Sequence, residues 1–278
     1  MCSSDLGCGP LGKYDFRKFY RFTTLDFKET ITSWMTTMER EEGWIGNYLS
    51  NHDNPRQVSR FGDDGRYRKE SAKALCLLDF TLRGTPFIYQ GEEVGMTNCP
   101  FEKEEWRDYE AINDYQVLQD MMHLPAFIAK KIISKMTRDH ARTPVQWDGG
   151  PGAGFTTGTP WIKLNPNYKE LNIAADLKSP DSLVAFYRET IAFRKAHPVL
   201  THGHFSPILK AHRQIIGYIR EDETERLLIL INLTGKKATA QLPTYNGKNA
   251  LCLYHTHQKR ALLPKTTLAP YEGLIFSL

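Results

Sequence analysis

Tyr48-Leu49-Ser50-Asn51-His52-Asp53-Asn54-Pro55-Arg56 is the stretch whose reading decides the fold. The run leading into it, Ile45-Gly46-Asn47-Tyr48-Leu49, has the length and apolar character of a buried strand, and an imidazole, a carboxylate and a guanidinium follow directly. Parallel α/β enzymes keep their chemistry at the C-terminal ends of their strands. Pro55 fixes φ, lacks a donor and biases Asn54 to an extended backbone, so Asn51, His52 and Asp53 are predicted on a turn that leaves the sheet. Taken by itself, the turn is equally explained if Asp53 and Asn54 only cap backbone groups.

Working outward, the residues from Asp26 are helical, with Phe27, Ile31, Trp34, Met35 and Met38 on one apolar face, Asp26 and Glu29 as a capping box, and Gly43 as the stop. Downstream, Tyr67 to Arg83 predicts a second helix with Ala72, Leu75, Leu78, Asp79 and Leu82 in register. Gly84 ends it before a buried strand from Thr85 to Gln90. Strand, turn, helix and strand make a βαβ unit. The longest irregular region, Gly91 to Lys178, holds predicted helices from Glu104 to Leu118 and from Ala126 to Met136, and a turn-rich piece from Trp147 to Gly154. A long insertion at the end of a strand is usually functional.

Pro180 opens a further helix, with Leu183, Phe186, Tyr187, Thr190, Ile191 and Arg194 on one face, and Pro198 closes it. From about Val199 the period falls to two, in runs over Gln214–Arg220, Arg226–Asn232, Ala238–Leu242, Ala250–Tyr254 and Leu274–Leu278. Turns such as Glu221-Asp222-Glu223-Thr224 and Asn246-Gly247-Lys248 separate them. That pattern predicts an antiparallel β-sandwich over residues 199–278.

Composition excludes several classes of function. At 41% hydrophobic and 24% charged residues the chain is an ordinary globular one, and its net charge of +4 is spread over pairs such as Lys130-Lys131 and Lys259-Arg260. Neither a nucleic acid nor a membrane partner is expected, and no apolar run approaches the roughly 18 residues of a membrane span. The five cysteines, Cys2, Cys8, Cys76, Cys99 and Cys252, lack paired metal spacing and read as reduced thiols, in keeping with a cytoplasmic protein, although an upstream signal peptide stays open. His202, His204, His212, His255 and His257 also lack ligand spacing. No metal and no cofactor is expected, and the oligomeric state is left open.

Four segments together resemble the α-amylase family of retaining glycoside hydrolases, and within it the oligo-1,6-glucosidase and α-glucosidase subgroup. They are Asn51-His52-Asp53, the following Arg56 to Asp64, Gly84-Thr85-Pro86-Phe87-Ile88-Tyr89-Gln90-Gly91-Glu92-Glu93-Val94-Gly95-Met96, and Ala141-Arg142-Thr143-Pro144-Val145-Gln146-Trp147. The resemblance implies an α/β fold in which residues 13–198 are the C-terminal part of a (β/α)8 TIM barrel, with its seventh and eighth strands, long loop and last helix. An all-β sandwich domain would follow.

For the site, the resemblance implies that Asp53 grips the hydroxyls of the sugar being cleaved. His52 would be a second contact to that sugar, and Asn51 and Arg56 substrate-binding residues, Arg56 also making the acidic cluster tolerable. The substrate would be an isomaltose- or maltose-like oligosaccharide, cleaved at an α-1,6 or α-1,4 bond. Retention requires a nucleophilic carboxylate and a carboxylic acid about 5–5.5 Å apart. No Asp or Glu here stands in the family's context for either, and Glu92 and Glu93 read as structural members of their loop.

A barrel needs about 200 or more residues and eight strands, whereas two are visible, so the sequence reads as the C-terminal portion of an enzyme, inactive by itself. Residues 1–12 are expected to be artefactual or unstructured, Met1-Cys2-Ser3-Ser4-Asp5-Leu6 matching the translated end of a sequencing adapter. The same scaffold also serves sucrose isomerases and trehalose-6-phosphate hydrolases, and a different class of relative, the non-catalytic heavy chain of an amino-acid transporter.

Overall fold

The structure, a computed structural model, describes residues 23–242, 244 and 250–278. The N-terminal segment 1–12 and the turn at Asn246-Gly247-Lys248 lie outside the described residues. In chain order the main elements are α1 (Thr24–Arg40), β1 (Gly46–Asn47), α2 (Gln57–Phe61), α3 (Arg68–Thr81), β2 (Thr85–Pro86), α4 (Tyr109–Asp120), α5 (Ala126–Met136), α6 (Asp139–Arg142), α7 (Ile173–Asp176), α8 (Leu183–Ala196) and α9 (Val199–His202). The strands β3 (His204–Ile208), β4 (Ile215–Glu221), β5 (Arg226–Asn232), β6 (Ala238–Gln241), β7 (Leu251–His255), β8 (Lys265–Leu268) and β9 (Gly273–Ser277) follow. They form two compact units, one of residues up to Leu49, Gly62–Phe87 and Phe186–Leu278, the other of Ser50–Phe61 and Ile88–Ala185.

In the first unit the cap of α1 lies three residues before the predicted one. Thr23 is the N-cap: its Oγ1 accepts the Asp26 N–H at 3.2 Å, and the Asp26 carboxylate accepts the Thr23 N–H at 2.8 Å. Asp26 is thus the return half of the box and not its start, because a threonine hydroxyl three residues earlier already satisfies an orphan donor. β1 and β2 pair in parallel over two residues each, Gly46 with Thr85 and Asn47 with Pro86. Both are shorter than predicted. Gly84 makes the approach feasible: at φ +119°, any Cβ would sit 2.3 Å from the Ile45 carbonyl oxygen, which instead accepts the Thr85 N–H at 2.8 Å.

The C-terminal part of this unit is a five-stranded sheet in the order β3-β4-β5-β9-β7, antiparallel throughout, and a separate β6–β8 pair. Ile219, Leu228, Leu230, Leu274 and Phe276 pack with Ala240, Leu242 and Leu268 in one core between the two layers. The other sheet face lies against α3, where the Tyr218 hydroxyl is 2.6 Å from that of Thr81, and Arg220 donates to the carbonyls of Thr81, Leu200 and Gly203 at 2.7–2.8 Å. β4 and β5 are therefore buried on both faces, and their continuous Ile and Leu runs follow from that.

Inside the second unit, α4 begins at Tyr109 and not at Glu104, because the Asp108 carboxylate accepts the Glu110 N–H at 3.2 Å and caps the helix there, while Lys103–Glu105 is a separate 3-10 turn. α8 likewise begins at Leu183 and not at Pro180. The Asp176 carboxylate accepts the N–H groups of Leu183 and Val184, at 3.1 and 3.0 Å. No helix among the described residues is long and apolar enough to cross a membrane.

Candidate active site

The turn after β1 is built by its own side chains. Asn51 Oδ1 accepts the Asp53 N–H at 2.9 Å and the Asn54 amide at 2.8 Å, an Asx turn that leaves the Asp53 carboxylate pointing away from its own backbone. That carboxylate is 45% exposed. Its Oδ1 accepts from Arg142 Nη2 at 3.0 Å and lies 3.6 Å from Arg138 Nη1, while Oδ2 is 3.2 Å from His52 Nε2. Arg142 Nε also donates to the His52 carbonyl at 3.1 Å. One arginine therefore holds both the side chain of Asp53 and the backbone before it.

Arg138 is the firmer of the two cations. The buried Asp108 carboxylate accepts its backbone N–H and its Nε, each at 2.9 Å, and its Nη2 at 2.5 Å, while Glu110 accepts Nη1 at 2.9 Å. Burial works against the Asp108 carboxylate, but these bonds outweigh it and hold the group below the usual carboxylate range. Asp108 in turn is the main cause of the raised pKa of Arg138. Two guanidiniums and one imidazole thus surround a half-exposed carboxylate, which can accept hydroxyl donors from a neutral polyol.

Arg56 does something else. Its side chain is 1% exposed. Nε donates to the His140 carbonyl at 3.1 Å, Nη1 to that of Gln90 at 2.5 Å, and Nη2 to the carbonyl and hydroxyl of Thr143 at 3.3 Å. The expected sugar contact is therefore corrected: every nitrogen of the guanidinium is engaged with protein oxygens because three loop carbonyls converge on it. Burial lowers its pKa to about 10, with Tyr89, Glu92 and Glu93 opposing, so it stays charged at neutral pH. Glu92 is itself buried and accepts from the Ser50 hydroxyl, and Glu93 accepts the Gly91 N–H at 2.8 Å.

Sequence reasoning missed Arg138, Asp108 and Glu110, and used Arg142 only as part of a motif. The spacing of Arg138 and Arg142 was the available signal, since residues four apart face the same way on a helical turn.

The alpha amylase catalytic-domain model matches residues 10–203, and the maltogenic amylase C-terminal-domain model residues 205–275. The chain belongs to the α-amylase family. This family member is 41% identical to an oligo-1,6-glucosidase of Parageobacillus thermoglucosidasius over 99% of its own length and 49% of the relative's. It is also 39% identical to a trehalose-6-phosphate hydrolase of Bacillus subtilis, over 92% and 46%. Among solved structures, the trehalose-6-phosphate hydrolase of Bacillus licheniformis superimposes with a TM-score of 0.86 at 38% identity, covering 92% of this chain and 47% of that one. The trehalulose synthase MutB of Pseudomonas mesoacidophila does so with a TM-score of 0.85 at 36%, over 92% and 47%. The fold is accordingly part of a TIM barrel followed by an all-β domain, and the chain spans about half the length of the curated relatives it matches.

Proposed function

We propose that this chain supplies the sugar-gripping carboxylate of an α-glucosidase that cleaves α-1,6 or α-1,4 bonds in short isomaltose- or maltose-like oligosaccharides with retention. The observation that carries the reading is Asp53, half-exposed and held by Arg142 and Arg138 beside His52. As the sugar ring flattens toward an oxocarbenium ion, hydrogen bonds from its hydroxyls to a fixed carboxylate strengthen, and only interactions of that kind raise kcat. His52 donates to the same sugar from the exposed side, and Asn51 serves substrate binding by fixing the turn that aims Asp53. Arg56 acts from behind, keeping the segment that carries Arg142 in place. The nucleophile and the acid/base are assigned to no residue of this chain.

Support for α-1,6 cleavage comes from the relatives, several of which are oligo-1,6-glucosidases at 38–41% identity. Trehalose-6-phosphate hydrolysis or sucrose isomerisation is the second reading, favoured by the structural likeness to MutB and to the Bacillus licheniformis hydrolase. Buried free thiols at Cys76, Cys99 and Cys252 support a reducing, cytoplasmic setting. We put the boundary between barrel part and β domain at 198/199, a few residues before the point between 203 and 205 where the two family matches meet.

The test is an assay against p-nitrophenyl α-glucoside and isomaltose. These 278 residues alone should show no turnover, and a chimera placing residues 13–278 behind the first half of the Parageobacillus relative should be active. Turnover by the chain alone would put the nucleophile and acid within it and sink the proposal.

A further inference from the structure

Tyr109 is one of several exposed aromatic side chains that the proposed function leaves unused, and it is set apart by its tie to Arg138. It opens α4 and is 67% exposed, yet its backbone is fixed on both sides. Asp108 before it and Glu110 after it both bind Arg138. The Arg138 guanidinium lies 5.3 Å from the centroid of the Tyr109 ring, and its Nη1 stands 3.6 Å from Asp53 Oδ1. One guanidinium is therefore close to both the ring and the carboxylate. Other exposed apolar side chains of this unit, such as Met121 and Phe127, stand at the α4–α5 connection and have no such tie.

A tyrosine held this way has the properties of a binding platform. Its ring offers a rigid apolar surface whose ordering costs little entropy, and the guanidinium beside it holds it in place. The C–H face of a pyranose is the matching surface, and the carboxylate beside it selects a ligand rich in hydroxyls. We propose that Tyr109 is a specificity-determining residue that stacks against the second sugar ring of an α-glucoside, the one joined through the glycosidic oxygen to the glucose held by Asp53. The assignment rests on the proposed role of Asp53. It gives the site a reason to prefer a disaccharide over a single glucose unit.

Saturation-transfer NMR on the 278-residue chain, with methyl α-glucoside as the one-ring probe and isomaltose as the two-ring probe, tests it. In the unaltered protein both rings of isomaltose should receive saturation. Tyr109→Ala should reduce transfer to the reducing-end ring about tenfold, the size of a lost stacking contact, and leave methyl α-glucoside unchanged. Tyr109→Phe, which keeps the ring, should retain at least about half of the transfer. Unchanged reducing-end transfer in Tyr109→Ala, or no transfer from the unaltered chain to any sugar, overturns the proposal. Asp53→Asn separates the two claims. If it leaves methyl α-glucoside transfer intact while the Ala and Phe variants still differ, the Asp53 reading fails and the Tyr109 site stands.

Discussion

The antiparallel sheet of residues 204–277 and the parallel pair β1–β2 lie in the same compact unit and start from comparably apolar sequence, yet they differ sharply as ladders. β4 and β5 pair over seven residues each, whereas β1 and β2 pair over two. The antiparallel strands meet through a local turn in which the Asp222 carboxylate accepts the N–H groups of Thr224 and Glu225, at 2.8 and 2.9 Å. The parallel strands need α3 as a crossover, and side chains do much of the holding: Asn47 Nδ2 donates to the Arg83 carbonyl at 3.0 Å and Trp44 Nε1 to the Thr85 hydroxyl at 2.8 Å. Parallel strands draw their stability from neighbours on both edges and covered faces. The antiparallel sheet shares a closed core with the β6–β8 pair, and this comparison makes it the firmest part of the unit.

The largest effect is expected there. Leu230→Ala empties a fully buried position in the core between the two β layers and should cost about 2–5 kcal/mol in urea unfolding. A loss below about 1 kcal/mol would mean that this core is not what holds the unit.

Asp79 gives an intermediate effect. Burial raises its carboxyl to about 7, with Arg194 opposing. A folded-state pKa above the unfolded value gives stability that is present below the unfolded pKa and lost as pH rises through about 7. Thermal unfolding of the unaltered protein should therefore weaken from about pH 5 to pH 8, and Asp79→Asn should flatten that slope, by on the order of 2 kcal/mol across the window. Identical slopes would show that the carboxyl titrates in the ordinary range.

Asn47→Ala, which leaves the Arg83 carbonyl without its amide donor, should cost only about 1 kcal/mol. A loss as large as that of Leu230→Ala would erase the contrast between the two ladders.

Most of the architecture was legible in the sequence, and the misses have physical causes. α5 falls on its predicted bounds because its helical period is clear, and β5 because its continuous Leu and Ile run is bounded by Arg226 and Asn232. β3 was missed because Pro207 argues against a strand, but β3 is an edge strand, where a residue without an N–H is tolerated. β8 was missed because four residues, two of them threonine, carry too little alternation. At the site, the turn was read from neighbouring residues, while the role of Asp53 came from the family resemblance. The arginines around Asp53 were not legible, since Arg138 and Arg142 come from 85 and 89 positions away. Arg56 was misread for the same reason: a cation after a proline looks exposed, and the carbonyls of His140 and Thr143 that bury it are equally remote.

The most direct test of the central claim is the kcat/KM of Asp53→Asn in the chimera that joins residues 13–278 to the first half of the Parageobacillus relative. A carboxylate whose grip tightens in the transition state predicts a fall of about a thousandfold or more against p-nitrophenyl α-glucoside, with unchanged thermal unfolding. Turnover within a few-fold of the unaltered chimera would contradict the assignment of Asp53 to the sugar.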